Sequence, residues 1–331
     1  MKGSVMAAKS RSKEIDCMRG TAILMVMLYH SVIVFPVNLH EIRWCLDLHT
    51  FLWVLQMPLF FLVSGYCFSY FEKGESYGAY FLKKCKRILV PHLVFSAIEI
   101  LPRVIRNPYV HEQKPIGDVL SDFVYYGGSD WFLRVLFMIV IVFPLLAKLL
   151  GRDIRIILPV CALLWAVKTA LPGLFLIDMT ANYMLFFAIG WAFRLAGDRI
   201  RDLTIGLLML LACAAGVGGF FALYLVTENR LAELLCVLCS FPVFYGLSKR
   251  IFAALQSFLA MCGKWSLQMY LFDAYAVVAT RTILVSYIGI TNPFAIILGN
   301  FIPDVCIVLL VSIYIAGRFR LTRFLCGVPK G

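Results

Sequence analysis

Long apolar runs recur along this chain and limit what it can fold into more than any other feature does. Of its 331 residues, 62% are hydrophobic, and the mean hydropathy is +0.87. The runs do not alternate polar with apolar residues, which predicts helices instead of the strands of a membrane barrel. Because a lipid-exposed backbone must satisfy its own hydrogen bonds, we expect an all-α, polytopic membrane protein. Residues 1–331 are expected to form a single transmembrane domain.

The apolar runs predict about ten transmembrane helices. Their expected ranges are 17–36, 49–71, 88–102, 131–150, 155–171, 181–197, 203–226, 231–247, 267–288 and 294–316. The spans that start at 88, 155, 181 and 231 are short for a hydrocarbon core of about 30 Å. These four are compatible with tilted, half-length or re-entrant helices.

The net charge of +12 is distributed unevenly between the connections. Lys and Arg concentrate in the amino-terminal segment, in alternate connections and after the last span, whereas the opposite connections contain few. By the positive-inside rule, both termini are predicted to be cytoplasmic, with short basic tails at 1–15 and 317–331. In a soluble protein such a charge suggests nucleic acid, but here it indicates topology, and no nucleic-acid partner is expected.

The first predicted span carries a cation and an imidazole on one face. Arg19 and His30 are eleven residues apart, which at about 100° per residue is three turns plus roughly 20°. Their Cα atoms are therefore expected about 16 Å apart along the helix axis. A membrane His is often only a satisfied helix contact, but a buried imidazole above a cation at the helix mouth is also typical of a reaction site.

A basic cluster lies at the predicted cytoplasmic end of span three. It consists of Lys83, Lys84, Lys86 and Arg87. Such clusters often only set topology or contact anionic lipid headgroups. The functional interpretation is a site for a polyanionic cytoplasmic ligand.

Two residues stand out on the predicted outer side. Trp131 follows a stretch of aromatic and acidic residues that would suit a sugar-binding surface, although an aromatic interfacial belt explains it equally well. Arg134 lies one turn into span four, and an intramembrane charge usually faces a wet cavity or a partner. Asp273, Arg281 and Asp304 lie inside later spans and are predicted to face the interior, as ion pairs or as catalytic groups.

Five motifs in order together resemble the bacterial acyltransferase family 3 of membrane-bound acyltransferases. They are an Arg and a His with ten intervening residues, a Met-Pro-Leu-Phe-Phe block that ends in Ser-Gly-Tyr, a basic stretch before a Pro, a Trp-Phe-Leu block and a late Gly-Lys-x-Ser-Leu block. In this chain they occupy residues 19–30, 57–66, 83–91, 131–133 and 263–271. The late block commonly closes with a His in the family, whereas Asp273 stands here.

The resemblance implies transfer of an acyl group, acetyl foremost, from cytoplasmic acyl-CoA to a hydroxyl of an extracytoplasmic or lipid-linked saccharide. It also implies the cytoplasmic (inner) membrane of a bacterium. His30 is then expected to be the general base, and Arg19 to hold donor phosphate or position the His. The basic cluster, Ser64 and Tyr66 are expected on the donor side, and Trp131, Arg134 and Asp273 on the acceptor side.

Direct transfer and a covalent acyl-His intermediate are both compatible with these residues. No tightly bound cofactor is expected, and none of the five His residues forms a close ligand pair, so no metal site is predicted. A transporter or flippase for a glycan or lipid intermediate is the main alternative, because many spans with interior charges suit that function too. A non-catalytic scaffold or sensor is a third interpretation, but it has no need for an Arg-to-His stripe.

Overall fold

A computed structural model describes residues 12–68, 76–104, 115–128, 131–197 and 206–328. All regular secondary structure in these ranges is helical. The α-helices are α1 Lys13–Ser31, α2 Arg43–Tyr66, α3 Tyr77–Lys84, α4 Val90–Val104, α5 Ile116–Tyr126, α6 Trp131–Leu149, α7 Ile154–Ala166, α8 Ile177–Ala196, α9 Leu207–Thr227, α10 Arg230–Arg250, α11 Ala253–Lys264, α12 Ser266–Arg281, α13 Pro293–Val311 and α14 Arg320–Leu325. Three π-helical segments accompany them, at Cys85–Leu89, Thr282–Tyr287 and Ser312–Ala316.

A helix occupies each of the ten predicted spans, with shifted ends. Seven helical segments among the described residues are long and apolar enough to cross a membrane, judged by length and composition, and α7 is apolar but shorter. The chain is therefore a multi-pass membrane protein, while ten crossings and two cytoplasmic termini remain predictions. The first helix ends at Ser31, five residues before the expected end. Pro36 explains the early end, because a proline disfavours helical geometry at the residue before it.

The first helix lies at the centre of the bundle. It packs against α2, α10, α11, α12 and α13, and Met18, Ile23 and Met27 on it are fully buried. Gly20 allows α11 to approach closely, because a Cβ at this position would overlap the backbone of Leu259. Groups carried by α1 can therefore meet residues from several other helices.

The second helix touches α8 through a reciprocal pair of glycines. A Cβ at Gly65 would overlap the carbonyl oxygen of Phe187, and a Cβ at Gly190 would overlap the carbonyl oxygen of Leu62. Small residues at such a crossing bring two backbones into contact. This crossing holds the Ser-Gly-Tyr end of α2 against α8.

Candidate active site

The structure places Arg19 and His30 near opposite ends of α1. Arg19 is half-buried and lines a cavity. His30 lies on the last turn of the helix, and its side chain is 36% exposed. The two residues therefore belong to two different parts of the site.

His30 has an acidic partner from a distant part of the chain. Its Nδ1 is hydrogen-bonded to Oδ2 of Asp273 on α12, whose side chain is 1% exposed. When a carboxylate accepts the Nδ1–H, the lone pair of the neutral ring lies on Nε2, and the carboxylate also stabilises the imidazolium. The pair thus has the arrangement of an oriented general base.

Aromatic rings surround the His30 end of α1. Tyr29 stacks on His49 with ring centroids 4.0 Å apart, and it lies 5.3 Å from the ring of His30 and 5.8 Å from Trp53. His49 also contacts His40, with centroids 4.2 Å apart. The sequence did not predict this group, because its members come from both sides of the α1–α2 connection. Among the described residues, no group of three His, Cys, Asp or Glu could hold a metal ion.

A cavity of about 330 Å³ lies at the Arg19 end of α1. Its lining collects cations from three separate segments, together with Ser64 from α2. These cations are Arg19, Lys83, Lys84, Arg87 and Lys264. Four of them were predicted as site residues, whereas Lys264 was noted within the late Gly-Lys-x-Ser-Leu motif without being assigned to the site. The convergence makes this cavity a strongly positive compartment.

The basic cluster does not act as one unit. Lys86 is exposed and does not line the cavity. Tyr66 is half-buried, and it does not line the cavity either. Lys84 and Arg87 are three residues apart and share a helix face, whereas Lys86 lies on another side, in the segment Cys85–Leu89 where the helix changes from α to π. Tyr80 anchors the segment, since its hydroxyl donates to the carbonyl of Val140 at 2.9 Å.

Aromatic side chains form the buried part of the cavity. Phe60 and Phe132 have ring centroids 5.4 Å apart, and Phe132 lies 5.2 Å from Tyr270. Tyr270 precedes Asp273 on α12 by three residues, which is a rise of about 4.5 Å. One residue of the cavity wall, Tyr270, therefore lies about one helical turn from Asp273.

The predicted carboxyl-terminal tail is folded as far as residue 328. Gly327 and Val328 line the cavity beside the basic segment. Gln268 on α12 holds this stretch, since its Nε2 donates to the carbonyl of Cys326 at 2.8 Å. These wall residues carry no charge or motif, so the sequence offered no signal for them.

Trp131 and Arg134 occupy different surroundings. Trp131 stacks on buried Tyr183 with centroids 5.6 Å apart. Arg134 donates to the carbonyls of Phe123 at 2.6 Å and Val124 at 2.7 Å. These are among the last carbonyls of α5, where a cation is favourable. Arg134 thus joins α5 to α6.

Comparison with known proteins assigns the family. A family model described as an acyltransferase domain matches residues 12–317, nearly the whole chain. The chain belongs to acyltransferase family 3. The basic cavity and the His30–Asp273 pair are therefore features of an acyltransferase. Searches of curated proteins and of solved structures gave no match.

Proposed function

We propose that this acyltransferase moves an acyl group, acetyl foremost, from cytoplasmic acyl-CoA to a hydroxyl of an extracytoplasmic or lipid-linked saccharide. Its expected location is the inner membrane of a bacterium. One observation carries the proposal: a cavity lined by five cations includes Tyr270 in its wall, and Tyr270 lies about one helical turn from Asp273, the buried carboxylate that is paired with His30. A polyanionic donor and a general base are the two requirements of this reaction.

The basic cavity suits the nucleotide end of the donor. Phosphate oxygens are strong acceptors, and Lys and Arg bind them through charge-assisted hydrogen bonds. Arg19, Lys84 and Arg87 come from two helical segments that converge on one space, so they can bind several phosphates at once. The flexible arm of the donor would then run along Ser64 towards the buried aromatic residues.

In the chemical step, His30 accepts one proton and then gives it up. Its ring accepts the proton of the acceptor hydroxyl while the hydroxyl oxygen bonds to the thioester carbonyl carbon. The carbon–sulfur bond breaks, and the leaving CoA thiolate takes the proton from the imidazolium. Asp273 orients the ring and stabilises its charged form, so we assign this residue to the base and no longer to the acceptor side.

The acceptor is proposed to approach His30 from the side of Tyr29 and Trp53. Both rings lie beside His30, and Trp53 is 41% exposed. Aromatic faces pack well against the apolar face of a sugar ring, while their edges remain close to water. Trp131 and Tyr183 are assigned to the same side, and Arg134 to the support of α5.

The test is release of CoA from acetyl-CoA by purified protein in nanodiscs, with candidate saccharides as acceptors. Replacing His30 with Ala should lower kcat by about 10²–10⁴-fold, which is the usual contribution of a general base. Ser31→Ala is the matched control, because Ser31 is the next residue of α1 and, within the described part of the chain, its hydroxyl donates to the carbonyl of Met27 in its own helix at 2.8 Å. Full activity in His30→Ala, with normal folding of both variants, would falsify the assignment.

A further inference from the structure

Asp304 is a buried acid that lies behind the His30–Asp273 pair. It is on α13, its side chain is 0% exposed, and its carboxyl group interacts with that of Asp273 on α12. Three acid–base groups from three helices therefore form a row, in the order His30, Asp273, Asp304. The reaction proposed above uses only the first two.

The hydrogen bonds of this row do not balance if both acids are ionised. Oδ2 of Asp273 is paired with His30, whereas Oδ1 of Asp273 and both oxygens of Asp304 are buried with no hydrogen-bond partner in the described part of the chain. Ionised carboxylates only accept hydrogen bonds, and two adjacent buried negative charges repel each other in a medium of low dielectric constant. A single proton on one of the acids supplies the missing donor and removes the second charge.

We propose that Asp304 carries this proton and donates a hydrogen bond to Oδ1 of Asp273, which makes Asp304 a positioning residue for the base. The inference rests on the proposed function for its kinetic consequence. With Asp304 neutral, Asp273 keeps the one negative charge of the row, and that charge balances the imidazolium that forms on His30 during transfer. Asp304 itself touches no substrate and exchanges no proton with it.

The titratable groups in and beside this row come from four helices. Asp273 faces Asp304 from α12, His30 lies on α1, and the ring of His49 on α2 interacts with His30. One turn from Asp304 on α13, Asn300 is hydrogen-bonded to Thr280 of α12, and this neighbouring pair is neutral. In the described residues no cation is paired with Asp304.

Two substitutions of Asp304 separate the loss of an ionisable group from the loss of a hydrogen-bond donor. Asp304→Asn keeps an N–H donor and cannot ionise, whereas Asp304→Leu has neither property. Thr280→Val is the matched control, because it alters the neutral pair on the same two helices and leaves the acids intact. Each variant is first checked for folding by its thermal unfolding midpoint in detergent.

The first measurement is infrared spectroscopy of the resting protein at neutral pH. We expect a carboxylic-acid C=O band in the difference spectrum between the wild type and Asp304→Asn, and no such band in the difference spectrum between the wild type and Thr280→Val. A difference spectrum between the wild type and Asp304→Asn that lacks this band would overturn the proton assignment. This measurement needs no turnover, so it is decided independently of the proposed acyl transfer.

The second measurement is the pH profile of CoA release. Asp304→Asn should stay within about threefold of the wild-type kcat, while Asp304→Leu should lose about tenfold or more, as expected when a hydrogen bond to a charged group is removed. Asp304→Leu should also displace the acid limb of the pH profile. Asp273 then lacks the hydrogen bond from Asp304, and this changes how strongly it stabilises the imidazolium of His30. Equal losses in Asn and Leu, or an undisplaced limb in Leu, would contradict the positioning role. Failure of wild-type release with every acceptor would instead count against the proposed function.

Discussion

Two lysines of one helical segment should contribute very differently to binding of the acyl-CoA donor. Lys84 lines the cavity, is half-buried and holds its ammonium group 5.1 Å from the centre of the Tyr80 ring. Lys86, two residues later, is exposed and outside the lining. Lys84→Met and Lys86→Met each remove one charge and keep the apolar stem. The pair therefore tests where the donor phosphates bind.

The expected difference follows from burial. A charge-assisted hydrogen bond in a partly enclosed site contributes about 1.5–3 kcal/mol, so Lys84→Met should raise the KM for acetyl-CoA roughly 10–150-fold. An exposed cation contributes roughly 0.2–1 kcal/mol, so Lys86→Met should raise KM by about fivefold at most. The kcat should change little in either variant, because phosphate binding is remote from the reacting atoms.

The assay is the initial rate of CoA release against acetyl-CoA concentration at two salt concentrations. The KM of the wild type should rise with salt, and that of Lys84→Met should rise less steeply. Lys148→Met, at the end of α6 and away from the cavity, is the control for loss of one surface charge. Equal KM values for the Lys84 and Lys86 variants, or a loss confined to kcat, would refute this placement of the donor.

Three further changes test the base, the cavity wall and the helix packing. Asp273→Asn should lower kcat by about 10²-fold with little change in KM, because His30 loses the partner that stabilises its charged form. Phe132→Ala should enlarge the buried end of the cavity and raise kcat/KM for butyryl-CoA relative to acetyl-CoA by roughly tenfold, as measured in competition. Gly65→Ala should destabilise the protein by about 1–3 kcal/mol through overlap with the α8 backbone, read as a lower unfolding midpoint. Gly218→Ala is its control, because a Cβ there meets nothing within 4 Å.

Each of these three expectations has a clear contrary result. Unchanged kcat in Asp273→Asn would remove this residue from the base. An unchanged preference between the two donors in Phe132→Ala would mean that the acyl group does not reach this ring. Equal unfolding midpoints for the two Gly variants would contradict the close crossing of α2 and α8.

Much of the fold followed from local patterns. Hydropathy located a helix at every predicted span, because the energetic cost of exposing a backbone to lipid is a local property. The expected start of the ninth span near Ser266 is confirmed, since α12 begins at this residue. The end of the first helix was placed too late, because an apolar run continues through residues that Pro36 keeps out of a helix.

Local sequence patterns predicted the candidate site less completely than the fold. Periodicity alone related Arg19 to His30, because both are on one helix. The pairing of Asp273 with His30 joins residues 243 positions apart, and no periodic pattern relates two helices so distant in sequence. The separation of Lys86 from Lys84 follows from their spacing of two residues, whereas the convergence of Arg19, Lys84 and Lys264 on one cavity depends on packing that residue spacing does not reveal.

The class of protein, the helices and the chemical groups available to a site followed from the sequence, because apolar runs, charges and motifs act over short stretches. The tertiary structure alone decided which of those groups meet. It brought five cations to one cavity, and it placed Asp273 and Asp304 in a row behind His30. It also placed Arg134 against the last carbonyls of α5. The reason is physical: the crossing of helices depends on side-chain packing and on close glycine contacts such as that at Gly65. Those contacts are long-range, and they place Arg19 and His30 in two different parts of the proposed site.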